Sequence, residues 1–136
     1  MDADRRLAMA KRLLKVRESQ HVLHQLHVAQ ASRIVEAAHM RMEALNAALT
    51  HESMGAGAYG EVLHQQSRSG HVRLAQAREV KILKEADLRS MSHKLEQSQR
   101  LMQRYDGLVQ VEAERNALDD IIDQIAQRPD TSLDPA

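Results

Sequence analysis

The chain has 136 residues, with no Phe, Trp or Cys, two Tyr, and Lys+Arg equal to Asp+Glu at 19 each. Hydrophobic residues reach 43%, but 19 of them are alanines, which leaves few large side chains for a layered core around an enclosed active site. Balanced charge argues against a dedicated nucleic-acid binder, and the lack of Cys removes disulfide and thiolate chemistry.

The chain opens Met1-Asp2-Ala3-Asp4-Arg5-Arg6 and reaches Lys11 and Arg12 after only four apolar residues. A secretory leader needs a longer apolar core, and no run approaches the length of about 18 apolar residues that spans a bilayer. The expectation is a soluble, cytoplasmic protein. From residue 3 to residue 53 the composition is that of a helix, rich in Ala, Leu, Gln, Glu and Arg, with Asp2 or Asp4 available as a cap. Two series of seven-residue spacing run through it. One reads Leu7, Leu14, His21, Val28, Val35, Met42, Leu49; the other reads Ala10, Arg17, His24, Ala31, Ala38, Leu45. Such heptads mark a coiled-coil seam. Polar residues interrupt it from Arg17 to His24, where Leu13, Val16, Leu23 and Leu26 form a neighbouring stripe. The expectation there is a seam that drifts around the helix.

Gly55, Gly57 and Gly60 cluster in residues 54–60, with Gly70 shortly after. Glycine tolerates turning and weakens helices, so the chain is expected to reverse at a tip over 54–60 that can extend to residue 70. A second helix follows over 61–128. Leu88, Met91, Leu95, Ser98, Met102, Tyr105 and Val109 alternate by three and four, and after Gly107 a shifted stripe continues through Leu118, Ile121, Ile122 and Ile125. Glu85–Arg89 and Glu96–Arg100 are spaced as helix-surface ion pairs, each worth about 0.2–0.5 kcal/mol. Pro129 ends the helix, and 129–136 reads as a flexible tail.

Neither helix can bury its stripe alone. The fold class expected is therefore all-α, a single domain built as a long antiparallel two-helix coiled-coil hairpin. At about 1.5 Å per residue its paired arms would span roughly 70–80 Å. The alternative is one continuous helix paired between chains, against which the glycine cluster weighs.

Few residues suggest chemistry. His21, His24 and His27 step by three along one helix, but metal ligation needs further donors converging from elsewhere. A polar layer that sets coiled-coil register explains them better, so neither a metal nor a cofactor is expected. Glu112, Glu114, Asp119, Asp120 and Asp123 form the densest acidic group, within a stretch 111–136 that carries seven acids against two bases. Carboxylates act in catalysis only inside a cleft that shifts their pKa; on an open helix they are a solvated or docking face, and no catalytic residue is expected. The opposite charge gathers at Arg5, Arg6, Lys11, Arg12, Lys15 and Arg17. Aromatics for stacking on nucleic acid are missing, and the glycine cluster lacks the Gly-Lys-Ser/Thr ending of a phosphate-binding loop. Arg5, Arg6, Lys11, Arg12, Asp119, Asp120 and Ile121 stand out as partner-binding candidates. The end expected to carry them pairs residues 1–17 with 115–128.

The pattern resembles the FliJ family, small coiled-coil proteins of the flagellar type III export apparatus, and the related stalks of virulence secretion systems. Arg5-Arg6-Leu7-Ala8-Met9-Ala10-Lys11-Arg12-Leu13-Leu14-Lys15-Val16-Arg17 resembles the family's opening helix. Ala77-Arg78-Glu79-Val80-Lys81-Ile82-Leu83 resembles the basic middle of its second helix. Glu114-Arg115-Asn116-Ala117-Leu118-Asp119-Asp120-Ile121-Ile122 resembles its closing segment, with Asp120 where the family's trio ends in Glu. The resemblance implies a non-catalytic stalk that inserts into the hexameric export ATPase and promotes its assembly. It also implies contacts with the export gate membrane protein and export chaperones, without nucleic acid. The protein would be a monomeric hairpin, cytoplasmic and peripheral at the inner-membrane export apparatus. A generic structural or adaptor coiled coil, or a helical client-binding chaperone, remains the alternative.

Overall fold

The computed structural model describes residues 2–52 and 58–128. Two α-helices, α1 (Asp2–Glu52) and α2 (Ala58–Gln127), take in all of these but Arg128. They pack against each other as an all-α hairpin. The expected tip residues 54–57 and tail 129–136 lie outside the described residues. Gly60 and Gly70, grouped with the turn from sequence, are instead helical.

Local chemistry accounts for these elements. No proline falls between Asp2 and Arg128, so nothing removes a backbone donor or clashes with the preceding turn. Asp2 and Asp4 both occupy the first turn of α1, where negative charge meets the positive end of the helix dipole. At the far end of α2, the Arg128 N–H is shared between the Gln124 carbonyl at 3.1 Å and the Ile125 carbonyl at 3.3 Å. The next residue, Pro129, disfavours helical geometry at Arg128.

Packing divides the chain into two units, Arg17–Leu95 and the pair of segments Met1–Val16 with Glu96–Ala136. Within Arg17–Leu95 the helices run antiparallel. His21 bonds Ser92, and Met42 lies against Gly70, so an advance along α1 is matched by a similar retreat along α2. The seam of α1 runs Arg17, His21, His24, Val28, Ala31, Val35, Ala38, Met42, Leu45, all buried or half-buried. That of α2 runs Leu63, Ser67, Gly70, Leu74, Ala77, Lys81, Lys84, Leu88, Met91, Leu95 at the same alternating spacing. The heptad therefore holds through the polar stretch instead of drifting: Leu23 and Leu26 are exposed, while Arg17, His21 and His24 keep the seam positions. Rotating the helix to bury the leucines would break the seven-residue phase shared with every flanking layer.

Gly70 has a packing role. A Cβ there would collide with the Met42 sulfur, and Met42 is only 3% exposed. The missing side chain is the hole that receives this methionine.

The unit made of Met1–Val16 and Glu96–Ala136 uses the same spacing. Leu7 and Ala10 of α1 are buried and Leu14 half-buried; Ser98 of α2 is buried, and Met102, Tyr105 and Val109 are half-buried. There the pairing stops. Every residue from 111 to 128 is exposed. The helices contain 51 and 70 residues, and the described residues of α1 face α2 only up to about residue 110.

Two surface pairs differ from expectation. Among the described residues neither Glu85–Arg89 nor Glu96–Arg100 forms; Glu85 lies 3.9 Å from Lys81 instead, and on α1 His39 Nε2 and Glu43 are 3.1 Å apart. Exposed pairs on a helix gain so little, about 0.2–0.5 kcal/mol, that spacing alone does not select one. Among the described residues, no helix is long and apolar enough to cross a membrane.

Candidate functional site

The unpaired end of α2 and the adjoining end of α1 form the candidate site. Seam positions of α2 step through Met102, Tyr105 and Val109, and the same spacing then meets Glu112, Asn116, Asp119 and Asp123. Apolar residues leave the seam after Val109. They continue one residue earlier in the repeat, at Leu108, Val111, Leu118, Ile122 and Ile125, with Arg115 at the step between Val111 and Leu118 and Ile121 beside the row. All are exposed, Ile125 to 64%. One residue is about 100° of rotation, so this row lies on a flank of α2 and not on the face that paired with α1. Residues 111–128 extend roughly 27 Å at the helical rise of about 1.5 Å per residue.

α1 carries a matching row. Met9, Leu13 and Val16 each precede a seam position by one residue and are exposed. In an antiparallel pair, positions just before the seam fall on the same flank of both helices. Consistent with this, Arg6, Met9, Ala10 and Leu13 line one open groove of about 390 Å³ with Leu101 and Tyr105 of α2.

The structure separates the charges that the sequence suggested would meet. Arg6 lies on α1 at the level of Leu101 and Tyr105, and it is exposed to solvent, as are Arg5, Lys11 and Arg12. Asp119, Asp120 and Ile121 sit on the unpaired stretch. Asp119 is 14 residues beyond Tyr105, roughly 21 Å along the helix. The expected pairing of 1–17 with 115–128 is therefore replaced by a pairing of the first helix with α2 residues up to about 110. A sequence signal for this existed: the seam spacing turns acidic after Val109.

The histidines occupy the other unit. The Ser92 hydroxyl donates to the Leu88 carbonyl at 3.0 Å, so its oxygen accepts from His21 Nε2–H at 3.1 Å. A seam polar group thus finds a partner across the interface, which offsets the cost of partial burial. The His24 and His27 rings meet edge to face with centroids 5.8 Å apart. Among the described residues, no three potential ligands converge on a metal position. Comparison with protein-family models, with curated proteins and with solved structures found no match to this chain.

Proposed function

We propose that this chain is a non-catalytic docking stalk of a bacterial type III protein export apparatus. It would engage the hexameric export ATPase through its open end, favour ring assembly, and link the ring to the export gate and to chaperones. The observation that carries the reading is the unpaired stretch 111–128, an exposed helix with an apolar row flanked by acids. Exposed apolar surface arranged in this way is the usual mark of a protein contact, and here it adjoins a basic first helix. The identity of the partner rests on the resemblance of residues 5–17, 77–83 and 114–122 to the FliJ family. In this reading the protein works in the cytoplasm and reaches the inner membrane only through partners. Catalysis has little support, because the acids stand on open helix surface where nothing excludes water.

A pull-down of the host's export ATPase with the full chain tests the proposal. Charge reversal by Asp119→Lys with Asp120→Lys, or by Arg5→Glu with Arg6→Glu, should weaken capture at least about tenfold, the loss of roughly 1.4 kcal/mol of binding. Unchanged capture would remove the open end as the docking surface, and no capture by the unaltered protein would remove the export reading altogether. ATPase turnover measured with and without the chain separates ring activation from simple adhesion. The adaptor alternative draws on a different feature, the exposed Val22, Leu26, Val72, Val80 and Ile82 of Arg17–Leu95.

A further inference from the structure

The open end carries two surfaces that fit each other but are held apart in one chain. The first is the overhanging row Val111, Leu118, Ile122 and Ile125, bordered by Glu112, Glu114 and Asp119, with Arg115 as the one base within it. The second is the groove lined by Arg6, Met9 and Leu13 of α1 and Leu101 of α2, with Arg5, Arg12, Arg100 and Arg104 close to these residues along the two helices and all exposed. Leu118, Ile122 and Ile125 follow the same spacing of three and four residues as Met9, Leu13 and Val16, so these side chains can interleave layer by layer, while Arg115 takes the step between Val111 and Leu118. Their charges are opposite, and like-charged alternatives, such as one acidic overhang against another, are disfavoured.

Residues 111–128 continue α2 away from the groove at Leu101 and Tyr105 and cannot fold back into it without breaking the helix. We propose that the groove receives the overhang of a second copy of this chain, and that the protein self-associates as a two-fold symmetric dimer joined through its open ends. Under a two-fold axis each copy gives its overhang to the other's groove, an isologous contact that closes after two chains. The flank geometry permits this. An overhang lying on the partner's groove directs its apolar row toward that groove when the two copies face in opposite directions. Reciprocal seating doubles the contact and carries it toward the about 1,200–2,000 Å² buried by stable specific interfaces. The dimer departs from the monomer expected from sequence. It stands on the open end alone and does not rest on the export reading.

Light scattering on the full chain, combined with charge exchange, tests it. The unaltered protein should show a mass approaching twice the 15.4 kDa of one chain, falling toward one chain on dilution and at high salt. Glu112→Lys with Glu114→Lys makes both surfaces basic, and Arg5→Glu with Arg12→Glu, Arg100→Glu and Arg104→Glu makes both acidic, so each variant alone should be monomeric. Mixed in equal amounts, the two variants offer a basic overhang to an acidic groove and an acidic overhang to a basic groove, and the dimer mass should return. Circular dichroism checks that each variant remains helical. Should either lose helicity, Ile122→Asp, which lies outside the paired seam, takes its place and should abolish the dimer alone. A monomer at the highest soluble concentration overturns the proposal and leaves the groove to a different protein. A dimer unmoved by the variants, or a mixture that stays monomeric, overturns it as well.

Discussion

Glycine at position 70 has a different function from glycine at position 107, although both lie inside α2. Nothing lies within 4 Å of a Cβ built at Gly107, whereas the same atom at Gly70 meets the sulfur of Met42. Gly107→Ala should therefore raise stability by about 0.5–1 kcal/mol through helix propensity alone. Gly70→Ala gains the same propensity but must displace a methionine from a packed site, at a cost of about 1–3 kcal/mol. It should be neutral or destabilising. Urea unfolding of the two variants side by side measures the difference, and an equal gain at both positions would show that Met42 does not need the gap. His21 poses the complementary question. It occupies a seam position and bonds Ser92, and polar seam residues trade stability for register. His21→Leu should raise the unfolding free energy by about 1 kcal/mol while loosening the choice of register, since neutral hydrogen bonds of this kind contribute only about 0.5–1.5 kcal/mol. A fall in stability instead would make the bond to Ser92 a net stabiliser.

Each helix carries two rows of apolar residues one position apart, and only one row is covered. The seam row includes Leu74, 6% exposed, while the other row includes Leu118, 60% exposed. Truncation should distinguish them sharply in the free protein. Leu74→Ala removes a buried side chain and should cost about 2–3 kcal/mol, whereas Leu118→Ala should stay within about 0.5 kcal/mol, as exposed positions do. Equal losses at the two sites would mean that Leu118 is covered in solution, which the proposed dimer allows only at concentrations where the dimer forms. Much of this was readable beforehand. The two series through Leu7 and Ala10, and the run Leu88 to Val109, are the seam observed. What misled was the polar stretch Arg17–His24, where Leu23 and Leu26 offered a more hydrophobic face. Hydrophobicity favoured a local rotation, and continuity of phase with the layers on either side overruled it.

For the molecule as a whole, the decisive fact is how little is buried. Among the described residues, no side chain is more than 98% buried, because two helices cover only one face of each other. Most seam residues remain half-open at their edges. Exposed apolar rows next to such a seam are unfinished surface, and a further helix is the natural complement. The stretch 111–128 illustrates the consequence for motion. A helix of this length without a packing partner is marginal in water, so its amides should exchange with solvent at least about tenfold faster than those around Leu74 and Met91, the opening free energy there being lower. Hydrogen exchange on the dilute protein checks this. Protection should rise across 111–128 when the partner binds or when the chain is concentrated enough to self-associate. Uniform protection of α2 in the dilute protein would contradict the assignment of these residues as unpaired.

The amino-acid sequence by itself determined that this chain forms two long helices and which side of each is apolar. Helix propensity and the seven-residue repeat are properties of near neighbours along one chain. It also carried the end of the seam, in the change from Val109 to Glu112, though that change has meaning only once the partner helix is known to stop. Tertiary structure decided which of two equally periodic rows would be covered, that Gly70 would be a hole and not a hinge, and that Arg5 and Asp119 would lie well apart. Two rows offset by one residue share one period, so across the polar stretch Arg17–His24 no local rule separates them. Only the depth at which the second helix seats, and the unequal lengths of the two helices, assign one row to the seam and leave the other for a partner.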